Sequence, residues 1–275
     1  MQSAETVSRL RALLPELPRP LGFVPTMGAL HDGHLELVRQ ARLRCPGVVA
    51  SLFVNPLQFG KNEDLARYPR DPLRDRERFA AEGVDALFAP DAATMYPASY
   101  ATYVSVDSSD GLFEGAIRPG HFRGVMTVLA KLLNIVRPDM LFLGQKDAQQ
   151  AVLTRKMTDD LNFSVEVEIV PTVREPDGLA MSSRNRYLSE QERSAAPTLY
   201  AALRALRAAL AEGAPKARAI AAAESVLSPL ARLDYLDVVD ADTFEPIEEL
   251  RPPAFVIGAA RFGTTRLIDN VWVPQ

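Results

Sequence analysis

Four short apolar runs, LGFVP at 21–25, VVASLFV at 48–54, VDALFAP at 84–90 and MLFLG at 140–144, leave this chain few ways to fold. Each has the length of a strand buried on both faces, and helix-like segments separate them. A helix is expected within 4–14, one ending near Arg42, and a charged one near 71–82. Another runs from about Val125 to Val136, where Val125, Val128, Leu129, Leu132 and Leu133 recur as a packed face, and one more carries Gln149 and Gln150. Strands alternating with helices build an open parallel sheet, the doubly wound α/β fold. VEVEIVP at 165–171 adds a strand, and TYVSV at 102–106 is expected to form a short one.

After Pro171 the texture changes. VREPDGLAMSSRNRYL is a polar connector, and Ser189 with Glu192 is a capping-box signature opening an alanine-rich helix. A second helix follows the Gly213–Pro215 break, and LDYLDVVD, AFVIGAARF and RLIDNVWV read as strands, the last two antiparallel. The expected organisation is one domain over 1–174 and a smaller α+β domain over 175–275, with MSSR at 181–184 on the hinge.

Thirty-one basic against 35 acidic residues leave a net charge of −4, so nothing global attracts nucleic acid or an anionic membrane. Cys45 is the only cysteine, which excludes internal disulfides and thiolate metal clusters and fits a reducing cytoplasm; it is expected to be an inert buried thiol. No apolar run approaches the roughly 20 residues a membrane span needs, and MQSAETVSRL lacks a signal-peptide core, so the expected location is cytoplasmic.

Ligands of doubly wound sheets sit at the carboxyl ends of strands. There the first run meets PTMGALHDGH, whose His31 and His34 lie three apart at a loop-to-helix junction between Gly28, Gly33 and the helix. A helix N-terminus already favours anions, and imidazoles there would grip a phosphate chain. VNPLQFG, the RPGHF loop, GQKD and the MSSR hinge are expected to converge on the same edge, with His121 in a polar, glycine-flanked loop. Lys146 and Arg184 would place positive charges, and Ser182 and Ser183 neutral donors, around a triphosphate. Gln58 and Gln150 bond hydroxyls and carboxylates without adding charge, which suits a small polar acid whose carboxylate attacks the α-phosphorus. Asp71, Asp75 and Glu77 read as a solvated helix N-terminus. No protein metal cage is expected; Mg²⁺ would ride on the nucleotide phosphates, with Asp147 nearby. Gly60 and the charges after Phe59 suggest a mobile lid.

PTMGALHDGH, VNPLQFG, NEDLARYPRD, RPGHFRGV, RPDMLFLGQKD, LAMSSRNRYL and TRLIDN, in this order, resemble the pantothenate synthetases, the pantoate:β-alanine ligases of the HxGH nucleotidyltransferase superfamily. The resemblance spans almost the whole chain. It implies a Rossmann-like N-terminal domain, a smaller C-terminal domain closing over the site, and a homodimer. It also implies two half-reactions: ATP and pantoate give pantoyl adenylate and pyrophosphate, then β-alanine displaces AMP to form pantothenate. Residue by residue, it implies ATP at Met27, Gly28, Ala29, Leu30, His31, Asp32, Gly33 and His34, at Gly144, Gln145, Lys146 and Asp147, at Val173, and at Met181, Ser182, Ser183 and Arg184. His34, Lys146 and His31 would be catalytic, Gln58 and Gln150 would hold pantoate, and Gln58 would also meet β-alanine. Asn55, Glu114, Arg118 and His121 are further implied contributors. Two departures are small: Gln145 stands where glutamate is frequent and Phe113 where leucine is usual. The alternative is a nucleotidyltransferase of the same fold acting on a phosphorylated cofactor precursor, which should surround its second pocket with more arginine or lysine.

Overall fold

The apolar runs are strands, and all of them run the same way. In the computed structural model, which describes residues 1–60, 63–107 and 110–275, β1 (Gln2–Ala4), β2 (Leu21–Thr26), β3 (Gly47–Leu52), β4 (Ala86–Phe88), β5 (Met140–Gly144) and β6 (Glu166–Val170) form a parallel sheet in the order β1-β4-β3-β2-β5-β6. Succession runs outward from β2 to β4 in one direction and from β5 to β6 in the other. The topological switch point, where such folds bind ligands, therefore lies between β2 and β5.

Helices α1 (Val7–Leu13), α2 (Asp32–Arg44), α3 (Pro72–Ala81), α4 (Ala92–Met95), α5 (Phe113–Ile117), α6 (His121–Val136) and α7 (Ala148–Asp160) are interleaved with these strands. Helices and sheet share a core that includes Val24, Val38, Val48, Ala50, Phe79, Leu87 and Phe142, each without exposed surface. Cys45 is buried in that core, and desolvation raises its thiol pKa. Among the described residues, no helix is long and apolar enough to cross a membrane.

The chain divides into two compact units, Met1–Gly144 with Leu153–Val170, and Gln145–Val152 with Pro171–Gln275. In the second, α8 (Glu190–Ala195), α9 (Thr198–Ala211) and α10 (Lys216–Glu224) accompany an antiparallel sheet of β7 (Ala231–Asp240), β8 (Ala254–Phe262) and β9 (Thr265–Val273). Leu203, Leu206, Ala219, Ala223, Val238 and Val256 build its core. Ser189 and Glu192 do form a capping box, but the helix they open is only six residues long. Pro197 follows, with no N–H to continue the ladder, and the alanine-rich helix starts afresh at Thr198.

Other boundaries also differ from the sequence reading. TYVSV is not a strand: Val104 bonds the Thr127 hydroxyl through its N–H (3.0 Å) and its carbonyl (3.4 Å), so a side chain satisfies the backbone that a neighbouring strand would have served. The expected loop FEGAIRPGHFRG holds α5 and the first turn of α6, which begins at His121 instead of near Val125. The candidate lid after Phe59 includes Lys61 and Asn62, which lie outside the described residues.

Candidate active site

The loop between β2 and α2 carries Met27 through His31, and His31 is the N-cap of α2. Asp32, Gly33 and His34 form the helix's first turn. The His34 Nδ1 accepts the His31 backbone N–H at 3.3 Å, which puts the ring proton on Nε2. The two imidazoles lie 4.0 Å apart between centroids, their planes tilted by 37°. A donor on Nε2, beside helix amides and the positive end of the macrodipole, is suited to a phosphate oxygen.

What shapes this loop is Asp75, which is not a solvated helix residue. It is 3% exposed and accepts the backbone N–H groups of Ala29 and Leu30, both at 2.9 Å. One turn on, Arg78 donates to the Leu30 carbonyl and, at 2.6 Å, to the Asp32 carboxylate. Residues 75, 78 and 79 share one helix face by their spacing, so buried Phe79 fixes the face that grips the loop. Gly28 is at φ +85°, and a Cβ there would stand 2.8 Å from the Asp75 carboxylate, so only glycine fits. Ala29 is held at φ 52°, a left-handed backbone that an alanine adopts at a cost. Sequence reasoning missed Asp75 and Arg78; their shared face with Phe79 was the available signal. Asp71 does cap α3, accepting from the Arg74 N–H at 3.2 Å.

After β3, Asn55 and Gln58 are buried at the turn Pro56–Gln58. Asn55 donates to the Gln58 Oε1 (3.0 Å) and to the Gly124 carbonyl (3.1 Å), and accepts from the Tyr96 hydroxyl (2.9 Å). The Gln58 amide is thereby oriented, with Nε2 3.1 Å from the Met27 sulfur. Sulfur is a weak acceptor, so a ligand oxygen would be a better partner for that NH₂. Helix α6 reaches this turn because Gly124 has no side chain; a Cβ there would lie 2.2 Å from the Leu57 carbonyl oxygen.

His121 is not in an open loop either. It is buried in the first turn of α6, where its Nδ1 meets the Gln58 carbonyl at 2.8 Å and its Nε2 meets Arg118 at 2.9 Å. A carbonyl only accepts and a guanidinium only donates, so the ring is neutral with its proton on Nδ1. Burial, with the Arg118 charge beside it, lowers its pKa from 6.5 to about 4. Arg118 is also paired with Glu63 at 2.8 and 2.6 Å. Glu114, on α5, is buried. The first unit thus brings together Met27, Asn55, Gln58, Arg118 and His121, with Gly144 ending β5.

In the second unit, Gln145, Lys146 and Asp147 form a short turn and Gln150 lies on α7. The Lys146 ammonium is 3.3 Å from the Asp147 carboxylate. The Met181 N–H donates to the Val173 carbonyl at 3.0 Å, and Ser182 caps the turn Ser183–Tyr187 by accepting from the Arg184 N–H at 3.2 Å. Lys146, Ala180 and Ser182 line one small cavity with Tyr200 and Asp269, so this unit joins the lysine to the MSSR segment.

The family model for pantoate-beta-alanine ligase matches residues 2–272. The chain belongs to the pantoate-beta-alanine ligase family. A pantothenate synthetase of Acidobacterium capsulatum is 51% identical over 288 residues, covering 98% of this chain and 96% of its own. One from Pelotomaculum thermopropionicum is 50% identical with both chains fully covered. The solved pantothenate synthetase of Thermus thermophilus superposes with a TM-score of 0.95 at 51% identity over the whole of both chains. The Francisella tularensis pantoate-beta-alanine ligase, solved in complex with beta-gamma ATP and beta-alanine, gives 0.82 at 32% identity, covering 99% of this chain and 97% of that one. The α/β fold with its small antiparallel sheet is thus the architecture of this ligase family.

Proposed function

We propose that this ligase condenses pantoate with β-alanine in two steps at the expense of ATP. A pantoate carboxylate oxygen attacks the α-phosphorus, and the bond to pyrophosphate breaks, leaving pantoyl adenylate. The β-alanine amine then attacks the acyl carbon, AMP departs with the carbon–oxygen bond electrons, and the ammonium proton is lost. The first step needs no strong base, so positioning and charge stabilisation carry it. His34 and Lys146 bear on the phosphates, with His31 beside them, and Met27–His34, Gly144–Asp147, Val173 and Met181–Arg184 bind ATP. Gln58 and Gln150 hold pantoate; Gln58 also meets β-alanine, and Asn55, Glu114, Arg118 and His121 shape that pocket.

The observation that carries this reading is the oriented Gln58 amide, whose NH₂ lies against Met27 of the HxGH loop. It offers a neutral donor for an acid beside a nucleotide loop. Among the described residues, the guanidinium that meets that turn, Arg118, is already paired with Glu63, which disfavours a phosphorylated acceptor. Among the described residues, no three His, Cys, Asp or Glu side chains are grouped to hold a metal. Mg²⁺ would be carried mainly on the phosphate oxygens, with the half-exposed Asp147 carboxylate nearby; when bound, the cation would neutralise phosphate charge. We infer also a cytoplasmic homodimer whose domains are residues 1–174 and 175–275, the second acting as a lid. Exchange of pyrophosphate into ATP that depends on pantoate tests the reading, and its absence from folded protein with Mg²⁺ overturns it.

A further inference from the structure

TRLIDN, near the end of the chain, finishes in two buried polar residues, Asp269 and Asn270, on β9. The Asn270 amide donates to the carbonyls of Gln145 (2.8 Å) and Lys146 (3.0 Å), and its Oδ1 accepts from the Gln145 side chain at 2.9 Å. One side chain therefore takes the first two carbonyls of the turn that presents Lys146. Asp269 makes a two-pronged pair with Arg174 (2.6 and 2.9 Å) and accepts the Asn270 backbone N–H at 2.7 Å. Arg174 also donates to the carbonyls of Gly178 (3.1 Å) and Asn270 (3.0 Å), and its guanidinium covers the Tyr200 ring at 3.7 Å. Burial raises the Asp269 pKa, a cost opposed by Arg174 and Asn270. A charged pair would be a poor choice for stability alone, since apolar residues of similar volume often serve as well. What it adds is direction.

The geometry points to Asp269 and Asn270 as positioning residues for the adenylation step: Asn270 fixes the Gln145–Lys146 backbone and so aims the Lys146 ammonium, while Asp269 with Arg174 sets that turn in register with the Val173–Met181 hairpin. This rests on the functional reading given above. Asn270 acts through the Lys146 backbone, and Asp269 acts through Asn270 and Arg174. Asn270→Asp keeps the shape but replaces two donors with an acceptor facing two carbonyls. Pantoate-dependent pyrophosphate exchange should fall about 10- to 100-fold, as expected for a misplaced catalytic group. In a Lys146→Ala background the same change should cost less than about three-fold, because the groups act as one unit. An equal loss in both backgrounds, or none in the first, overturns the assignment. If the aspartate variant folds poorly, Asn270→Ser in the same cycle replaces it, with the same outcomes. Amide hydrogen exchange over residues 145–148 reports on the clamp whatever the reaction: protection must drop in the variant, and unchanged protection overturns the proposal. Absence of exchange activity in the unsubstituted chain would instead refute the functional reading.

Discussion

Asp75→Asn isolates the contact that shapes the HxGH loop. Asparagine has the same volume, but one of its two acceptors becomes an NH₂ facing a backbone donor, and the Ala29 and Leu30 amides compete for the remaining oxygen. One charge-assisted hydrogen bond, about 1.5–3 kcal/mol, is lost. The opposed donors then push the loop away, and Ala29 helps it leave, because its left-handed backbone at φ 52° costs roughly 1 kcal/mol to hold. Relaxation limits the stability loss to about 2 kcal/mol, read as a lower urea midpoint with an unchanged slope. The rate loss is larger, since a displacement on the order of 1 Å in His34 costs about 100-fold. Ala29→Gly removes the left-handed penalty and should restore part of both quantities in the Asp75→Asn background. Pyrophosphate exchange within about three-fold of the unsubstituted rate, with an unmoved urea midpoint, would refute the reasoning.

Other perturbations follow from the same geometry. His121 is held neutral in the fold, with a pKa of about 4 against an ordinary 6.5, so its contribution is complete above pH 6.5 and lost as pH falls toward 4. Full loss amounts to roughly 3 kcal/mol, visible as a urea midpoint that falls through that window and flattens in His121→Asn. Stability equally steep in the variant would count against it. Gly124→Ala places a Cβ 2.2 Å from the Leu57 carbonyl oxygen, so α6 must retreat, at a cost of about 1–3 kcal/mol or more by thermal denaturation. His34→Ala and Lys146→Ala should each slow adenylate formation by about ten-fold or more with the fold intact by circular dichroism; near-normal turnover in either would remove its assigned role.

Much of this was legible in the sequence because the decisive signals were local. Fully apolar runs such as MLFLG mark central strands without any knowledge of their neighbours, and helical spacing from Val125 to Leu133 marks a buried face. Features that depend on distant partners were not. Asp75 near a helix start satisfies the dipole rule and reads as solvated; its role comes from amides 45 and 46 residues away. TYVSV has a strand's composition but finds Thr127 in place of a neighbouring strand. The three residues of β1 are too short a signal to notice, though they pair in register with Ala86–Phe88. The glycines around His121 suggested a loop, whereas Gly124 is the residue that lets a helix press against a turn.

The solitary, buried Cys45 has a practical consequence for anyone wishing to watch this enzyme at work. A thiol reacts as its thiolate, and this one is both inaccessible and raised in pKa. A cysteine introduced at an exposed site such as Leu161 or Leu230 would therefore be the one group a maleimide dye or spin label finds in the folded molecule. Single-site labelling needs no cysteine-free background, and the native thiol can stay where it packs.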